Sequence, residues 1–299
     1  MLPADLQRVA ARHVPGTGQT HIQRLGGGLV NETYRVLRND AAYALRVVAA
    51  NPYDLGVDRE WEARVLERAA AAHLAPVVEY FDPKAGILIT RWEAGRSWSS
   101  AEVRLPANIS RMAEFARRIH ALPLPAPHRR MSPSTWIDYY SIGARQGAGA
   151  DLRAAAALQL AALAQLPTVP TVVCHSDLHP LNVIDRGASL ILLDWEYAHA
   201  SDPFWDLASW SACNDLEESL QHALLTDYLG RMPSGNECLR LRLLGWLYDY
   251  VCLLWSELYL NLERDRRTGA GQRIDEPGTV VGRVGLLAAR LKHQSGGAA

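Results

Sequence analysis

The stretch from His175 to Asp194, HSDLHPLNVIDRGASLILLD, restricts the fold more than any other part of the chain. It sits inside a run of helical sequence and does not read as helix itself. TVVCHSD is an apolar run that closes on polar residues, and NVID and SLILLD are two further β-like runs joined by the turn sequence DRGAS. On either side, AEVRLPANISRMAEFARRIHAL, DLRAAAALQLAALAQL and LEESLQHALLTDYLGRM repeat apolar residues at helical spacing. A β-island in a helical region therefore holds a short loop bearing His175, Asp177, His179 and Asn182, with Asp194 at the end of a strand.

The first ninety or so residues have a different character. HIQRLGGGLVNETYRVLRN contains two extended runs around a triple glycine, and AAYALRVVAA is a third run of β type. DREWEARVLERAAAAHLAP is helical and stops before Pro76, and VVEYFDPKAGILITRWEAG reads as a hairpin turning at DPKAG. LPLPAPHRRMSPS is proline-rich and reads as a surface connection, and the tail KHQSGGAA is expected to be disordered. These patterns predict an α+β, two-lobed chain: a small β-rich lobe over 1–92 and a larger helical lobe over 93–299. The cleft between such lobes is the expected site.

Composition excludes several alternatives. A formal net charge of −1 over 299 residues gives no electrostatic footprint for nucleic acid. No apolar run reaches the ~20 residues needed to cross a bilayer, and the charges and proline of MLPADLQRVAARHVPG interrupt what a signal peptide would keep apolar. The four cysteines are scattered without a CxxC pair, so a reduced, cytoplasmic setting is expected. Nine tryptophans stand against three phenylalanines, an excess suited to lining a site as well as filling a core.

Asp177 and Asn182 are five residues apart in the loop, and Asp194 follows twelve residues later. Phosphoryl transfer from ATP needs a carboxylate beside the acceptor hydroxyl and oxygen ligands for Mg²⁺, and these three residues can supply that set. A rival reading takes His175, Asp177 and His179 as the ligands of a metal-dependent hydrolase. It leaves Asn182 and Asp194 without roles. No G-x-S-x-G elbow is present, and Cys174 reads as a core residue.

HSDLHPLN followed by LLDWEYA and DPFWDLA resembles the catalytic region of the aminoglycoside phosphotransferase and choline kinase superfamily, relatives of the protein kinases. The resemblance implies a protein-kinase-like fold and an ATP- and Mg²⁺-dependent kinase. By it Asp177 is the catalytic base, His175 braces its loop, Asn182 and Asp194 hold Mg²⁺, and Asp206 holds the loop by hydrogen bonds. Gly27, Gly28 and Asn31 resemble the family's short glycine loop for phosphate. Arg46 takes the place of its strand cation, paired with Glu62 on the following helix. Glu196 in DWEYA points to the choline, ethanolamine and thiamine kinase branch, and a small-molecule alcohol is the implied partner. Trp210, Tyr248, Trp255 and Tyr259, with Glu196, are candidates for an acceptor site, since aromatic faces attract a quaternary ammonium. An aminoglycoside or amino-sugar kinase and a non-catalytic pseudokinase are the alternatives.

Overall fold

Alternating apolar residues build a five-stranded antiparallel sheet near the N-terminus in a computed structural model of the chain, which describes residues 3–26, 29–48, 55–143, 149–269 and 277–296. Its strands are β1 (Thr20–Leu25), β2 (Asn31–Arg38), β3 (Ala41–Val48), β4 (Val78–Asp82) and β5 (Ile87–Arg91), in the order β1-β2-β3-β5-β4. Successive side chains of a strand point to opposite faces. Tyr34 and Val36 of β2, Tyr43, Leu45 and Val47 of β3, and Ile87 and Ile89 of β5 therefore form one apolar face. Leu6, Ala10 and Val14, from helix α1 (Pro3–His13) and just beyond it, complete that core. Arg46, between Leu45 and Val47, is left on the other face.

Helix α2 (Arg59–Ala71) starts at Asp58, whose carboxylate accepts the Trp61 N–H at 3.0 Å. It buries Arg59, Trp61, Glu62, Val65, Leu66 and Ala69. The chain divides into two compact units, and the first joins residues 1–98 and 122–127 to 180–198. That last segment carries the hairpin β7 (Val183–Asp185) and β8 (Leu190–Leu192), paired Val183 to Leu192. Its turn needs a left-handed residue, which Gly187 supplies at φ +83°. Leu192 donates its N–H to the Leu74 carbonyl at 2.8 Å, tying the hairpin to the end of α2.

The second unit comprises 99–121, 128–179 and 199–299. It contains α3 (Pro106–His120), α4 (Pro133–Gly143), α5 (Ala150–Ala164), α6 (Phe204–Cys213), α7 (Glu218–Leu229), α8 (Gly235–Gly269) and α9 (Pro277–Gly296). Helix α8 packs against α4, α5, α6 and α9, and α3 packs against α7. A two-stranded ladder, β6 (Val172–Cys174) with β9 (His199–Ser201), lies within this unit. The expected β-island is thus two separate ladders, because β6 pairs with the short HAS run rather than with its nearer neighbours. One expectation is corrected: Lys292–Gly296 of the tail are helical, as the end of α9. No helix among the described residues is long and apolar enough to cross a membrane.

Candidate active site

In the first unit, β3 presents Arg46 to α2 and to the segment after β8. Its guanidinium pairs with Glu62 and donates to Asp194 Oδ1 at 2.8 Å. A second guanidinium, Arg59, stands behind it. Arg59 Nη1 donates to Glu62 Oε2 at 2.7 Å and lies 2.9 Å from Glu196 Oε2, and Nη2 donates to Asn31 Oδ1 at 2.8 Å. Asn31 Nδ2 in turn donates to Glu196 Oε2 at 2.7 Å. Six residues from four segments form one network. Glu62 is fully enclosed, and Arg59 and Glu196 are nearly so.

Burial of this kind demands pairing, since an isolated buried charge is costly. Burial would push the Arg46 guanidinium down, but Glu62, then Asp194 and Glu196, outweigh it and hold it above its ordinary value. Glu196 moves the other way: burial first, then the Asp194 charge, push its carboxyl up to about 7 against the pull of Arg59 and Arg46.

The β7–β8 hairpin brings Asn182 and Asp194 together. Asn182 precedes β7, Asp194 follows β8, and Leu193 donates its N–H to the Asn182 carbonyl at 2.8 Å. Asp194 takes a left-handed conformation, φ 58° and ψ 67°, before a single 3₁₀ turn over Trp195–Tyr197. Asn182 supplies an amide oxygen and Asp194 a carboxylate, an all-oxygen donor set, which fits a hard dication such as Mg²⁺. Gly27 and Gly28 lie outside the described residues. A Cβ at the neighbouring Gly26 would meet no atom within 4 Å.

In the second unit, the loop after β6 carries Asp177. His175 is fully buried, and its Nδ1 accepts the Asp177 N–H at 3.3 Å. Asp206 on α6 accepts the N–H of His175 at 2.8 Å through Oδ2 and that of Ser176 at 2.7 Å through Oδ1. Ser176 is left-handed at φ +71°, and its hydroxyl is 2.8 Å from His199 Nδ1. Behind Asp206, His120 Nε2 lies 3.2 Å from Oδ2, and His120 Nδ1 is 2.8 Å from the Tyr228 hydroxyl. Burial would raise the Asp206 carboxyl, but His120, His175 and the Ser176 N–H bring it below its ordinary value.

The Asp177 carboxylate is about a third exposed, with His179 Nε2 at 3.4 Å. Burial pulls its pKa upward, yet His179, then His175 and Arg283, outweigh that and hold it at about 2. Asp177 is therefore an anion at neutral pH. The alternation His175, Asp177, His179 does not converge as a metal site. Among the described residues the one trio with donor atoms that close is His120, Cys174 and Asp206. There both Asp206 oxygens already hold loop N–H groups, and burial lifts the Cys174 thiol well above its ordinary value.

The aromatic candidates are dispersed. Trp210 is fully enclosed in the core. Tyr248 packs edge-on against Trp205 with ring centres 5.5 Å apart, its hydroxyl 3.6 Å from Cys213 Sγ. Trp255 and Tyr259 stack on one another at 5.4 Å. Glu196 belongs to the Arg59 network of the first unit.

Sequence reading missed Arg59, whose sign was its place after the Asp58 cap and three residues before Glu62. It also missed His120 and Ser209, and the α4 aromatics Trp136 and Tyr140, spaced i and i+4 in STWIDYYS. Trp136 lies edge-on 5.4 Å from His199, beside the Asp177 loop, and stacks on Tyr140 at 5.3 Å.

The chain is similar in sequence and fold to known proteins. The model of the "Phosphotransferase enzyme family" matches residues 21–241. Protein LicA of Haemophilus influenzae is 23% identical over 243 residues, which are 78% of this chain and 71% of that protein. A choline/ethanolamine kinase family protein from Mesorhizobium loti is 25% identical with a TM-score of 0.75, over 98% of this chain and 94% of the other. The choline kinase LicA from Streptococcus pneumoniae has a TM-score of 0.76 at 22% identity, over 97% and 98% of the two chains. The kinase-like α+β fold and the suspected superfamily are both borne out. With its model spanning most of the sequence, the chain belongs to the phosphotransferase enzyme family.

Proposed function

We propose that this enzyme transfers the γ-phosphate of ATP to the hydroxyl of a small alcohol, with a cationic amino alcohol of the choline, ethanolamine or thiamine kind as acceptor. The observation that carries the reading is Asp177, an anion on a loop gripped by α6. Asp177 orients the acceptor hydroxyl and takes its proton as the oxygen attacks phosphorus in line. Arg46, with the glycine loop before Asn31, holds the phosphates, and its fork suits phosphate oxygens. Asn182 and Asp194 would hold Mg²⁺, which when bound neutralises charge on the phosphates. Glu62 and Arg59 keep Arg46 extended and in place. The cationic acceptor rests on the likeness to a choline/ethanolamine kinase family protein and on Trp136, which lies against His199 beside the Asp177 loop.

Purified protein with Mg²⁺ and ATP, offered choline, ethanolamine, thiamine, an aminoglycoside, hexoses and amino sugars, separates the readings by which alcohol is phosphorylated. Turnover of sugars alone discards the cationic acceptor; turnover of none favours a pseudokinase. Asp177→Asn is expected to lower kcat by roughly 10²- to 10⁴-fold with nucleotide affinity preserved in calorimetry. Undiminished turnover in that variant overturns the assignment.

A further inference from the structure

We propose that Ser209 is a positioning residue for Asp177, the second point of a two-point grip by which α6 seats the catalytic loop. The proposal rests on reading Asp177 as the group that meets the acceptor hydroxyl. Ser209 lies one helical turn beyond Asp206, so both side chains share one face of α6. It is completely buried. Its hydroxyl accepts the Leu178 N–H at 3.1 Å and donates to the Leu178 carbonyl at 3.0 Å.

That use of a helical serine is distinctive. A serine inside a helix commonly bonds back to the carbonyl four residues earlier. Ser211 does so on the same helix, donating to the Leu207 carbonyl at 2.7 Å. Ser209 instead satisfies both polar groups of one loop residue. The consequence follows from where Leu178 stands. Asp206 fixes the peptide N–H groups of His175 and Ser176, before Asp177, and Ser209 fixes the residue after it. The Asp177 backbone is thereby held from both sides, while its carboxylate remains a third exposed. Ser176 is kept left-handed, a conformation a non-glycine residue retains only where its surroundings over-determine it. With one side released, that residue can relax and carry the Asp177 carboxylate with it.

Two variants of α6 test this, Ser209→Ala and Ser211→Ala, each deleting one buried hydroxyl. Ser209→Ala is expected to lower kcat by roughly 10- to 100-fold, the cost of a small misplacement of a reacting group, with the KM for ATP nearly unchanged. Amide exchange at residues 175–178 should quicken in the same variant. Ser211→Ala should move neither reading. Wild-type kcat and exchange in Ser209→Ala, or an equal loss in both variants, overturns the proposal. If the wild-type protein phosphorylates no alcohol, the kinase reading has failed. The exchange measurement then still judges the grip, and unchanged protection at Leu178 refutes it. Should Ser209→Ala not fold, Ser209→Cys keeps the shape with a slightly larger side chain, weakens both hydrogen bonds and carries the same readings.

Discussion

Arg59 shows how much of this site depends on a residue that touches none of the groups expected to react. One guanidinium holds Glu62, Glu196 and Asn31, each through a separate contact of 2.7 to 2.9 Å. Removing it leaves two buried carboxyls and an amide facing a void. Arg59→Met is expected to destabilise the fold by about 3–5 kcal/mol, the usual cost of breaking a buried ion pair from one side, as read by urea denaturation. Arg59→Lys should recover only part of that loss, because an ammonium is a point charge and cannot match a planar fork with three partners. Stability equal to wild type in Arg59→Met would show the network to be dispensable. Its place after the Asp58 cap and before Glu62 was the one local sign of this role. Arg59 precedes two glutamates on a helix, an ordinary surface pattern, and its partners Asn31 and Glu196 lie 28 and 137 residues away in the chain.

Elements depend on their partners in the same way. Asp249 on α8 pairs with Arg290 on α9 and is almost wholly buried. Burial outweighs Arg290 and raises its carboxyl to about 6. A carboxyl raised in the folded state binds its proton more tightly there than in the unfolded chain, so its contribution is full at low pH. That contribution fades as pH climbs from the ordinary carboxylate value, about 4, through about 6. Asp249→Asn should therefore flatten the fall in melting temperature across this window, and identical pH profiles for the two proteins would count against it. Elements with strong local patterns were readable in advance. The 3.6-residue period placed α2, α3, α5 and α7, and the turn sequences DPKAG and DRGAS placed two hairpins. The ladder of β6 with β9 was not readable, because three-residue strands carry too little period and are specified by where the chain returns. Lys292–Gly296 were misjudged for a related reason. Small and polar residues read as a loose end, whereas they continue α9, which packs on α8.

At the scale of the whole molecule, the order of parts along the sequence was legible and the acceptor was not. The proposed phosphate-handling set rests on residue types that chemistry restricts, carboxylate, amide and guanidinium at fixed intervals. Acceptor choice depends on aromatic rings that also serve as core, and the sequence cannot separate the two uses. Trp210 is enclosed, while Trp136, which sequence reading passed over, lies against His199 beside the Asp177 loop. Binding can be followed on the intact protein without knowing the acceptor. A non-hydrolysable ATP analogue with Mg²⁺, at 100 times its dissociation constant, should stabilise the fold by about 2.7 kcal/mol, seen as a raised melting temperature. EDTA or Asn182→Ala should shrink that rise, and a rise indifferent to both would remove the metal roles of Asn182 and Asp194.

The contact between Arg46 and Asp194 has one more consequence. Asp194 already has a counter-ion in Arg46, so a dication held by Asp194 would compete with a guanidinium that stays paired with Glu62, and a phosphate could then take the Arg46 N–H that is freed. In the proposed reaction, metal and nucleotide would therefore each bind better in the presence of the other. Because such coupling is reciprocal, titrating either one in the presence of the other should strengthen binding by the same factor, and Arg46→Gln should abolish that mutual dependence.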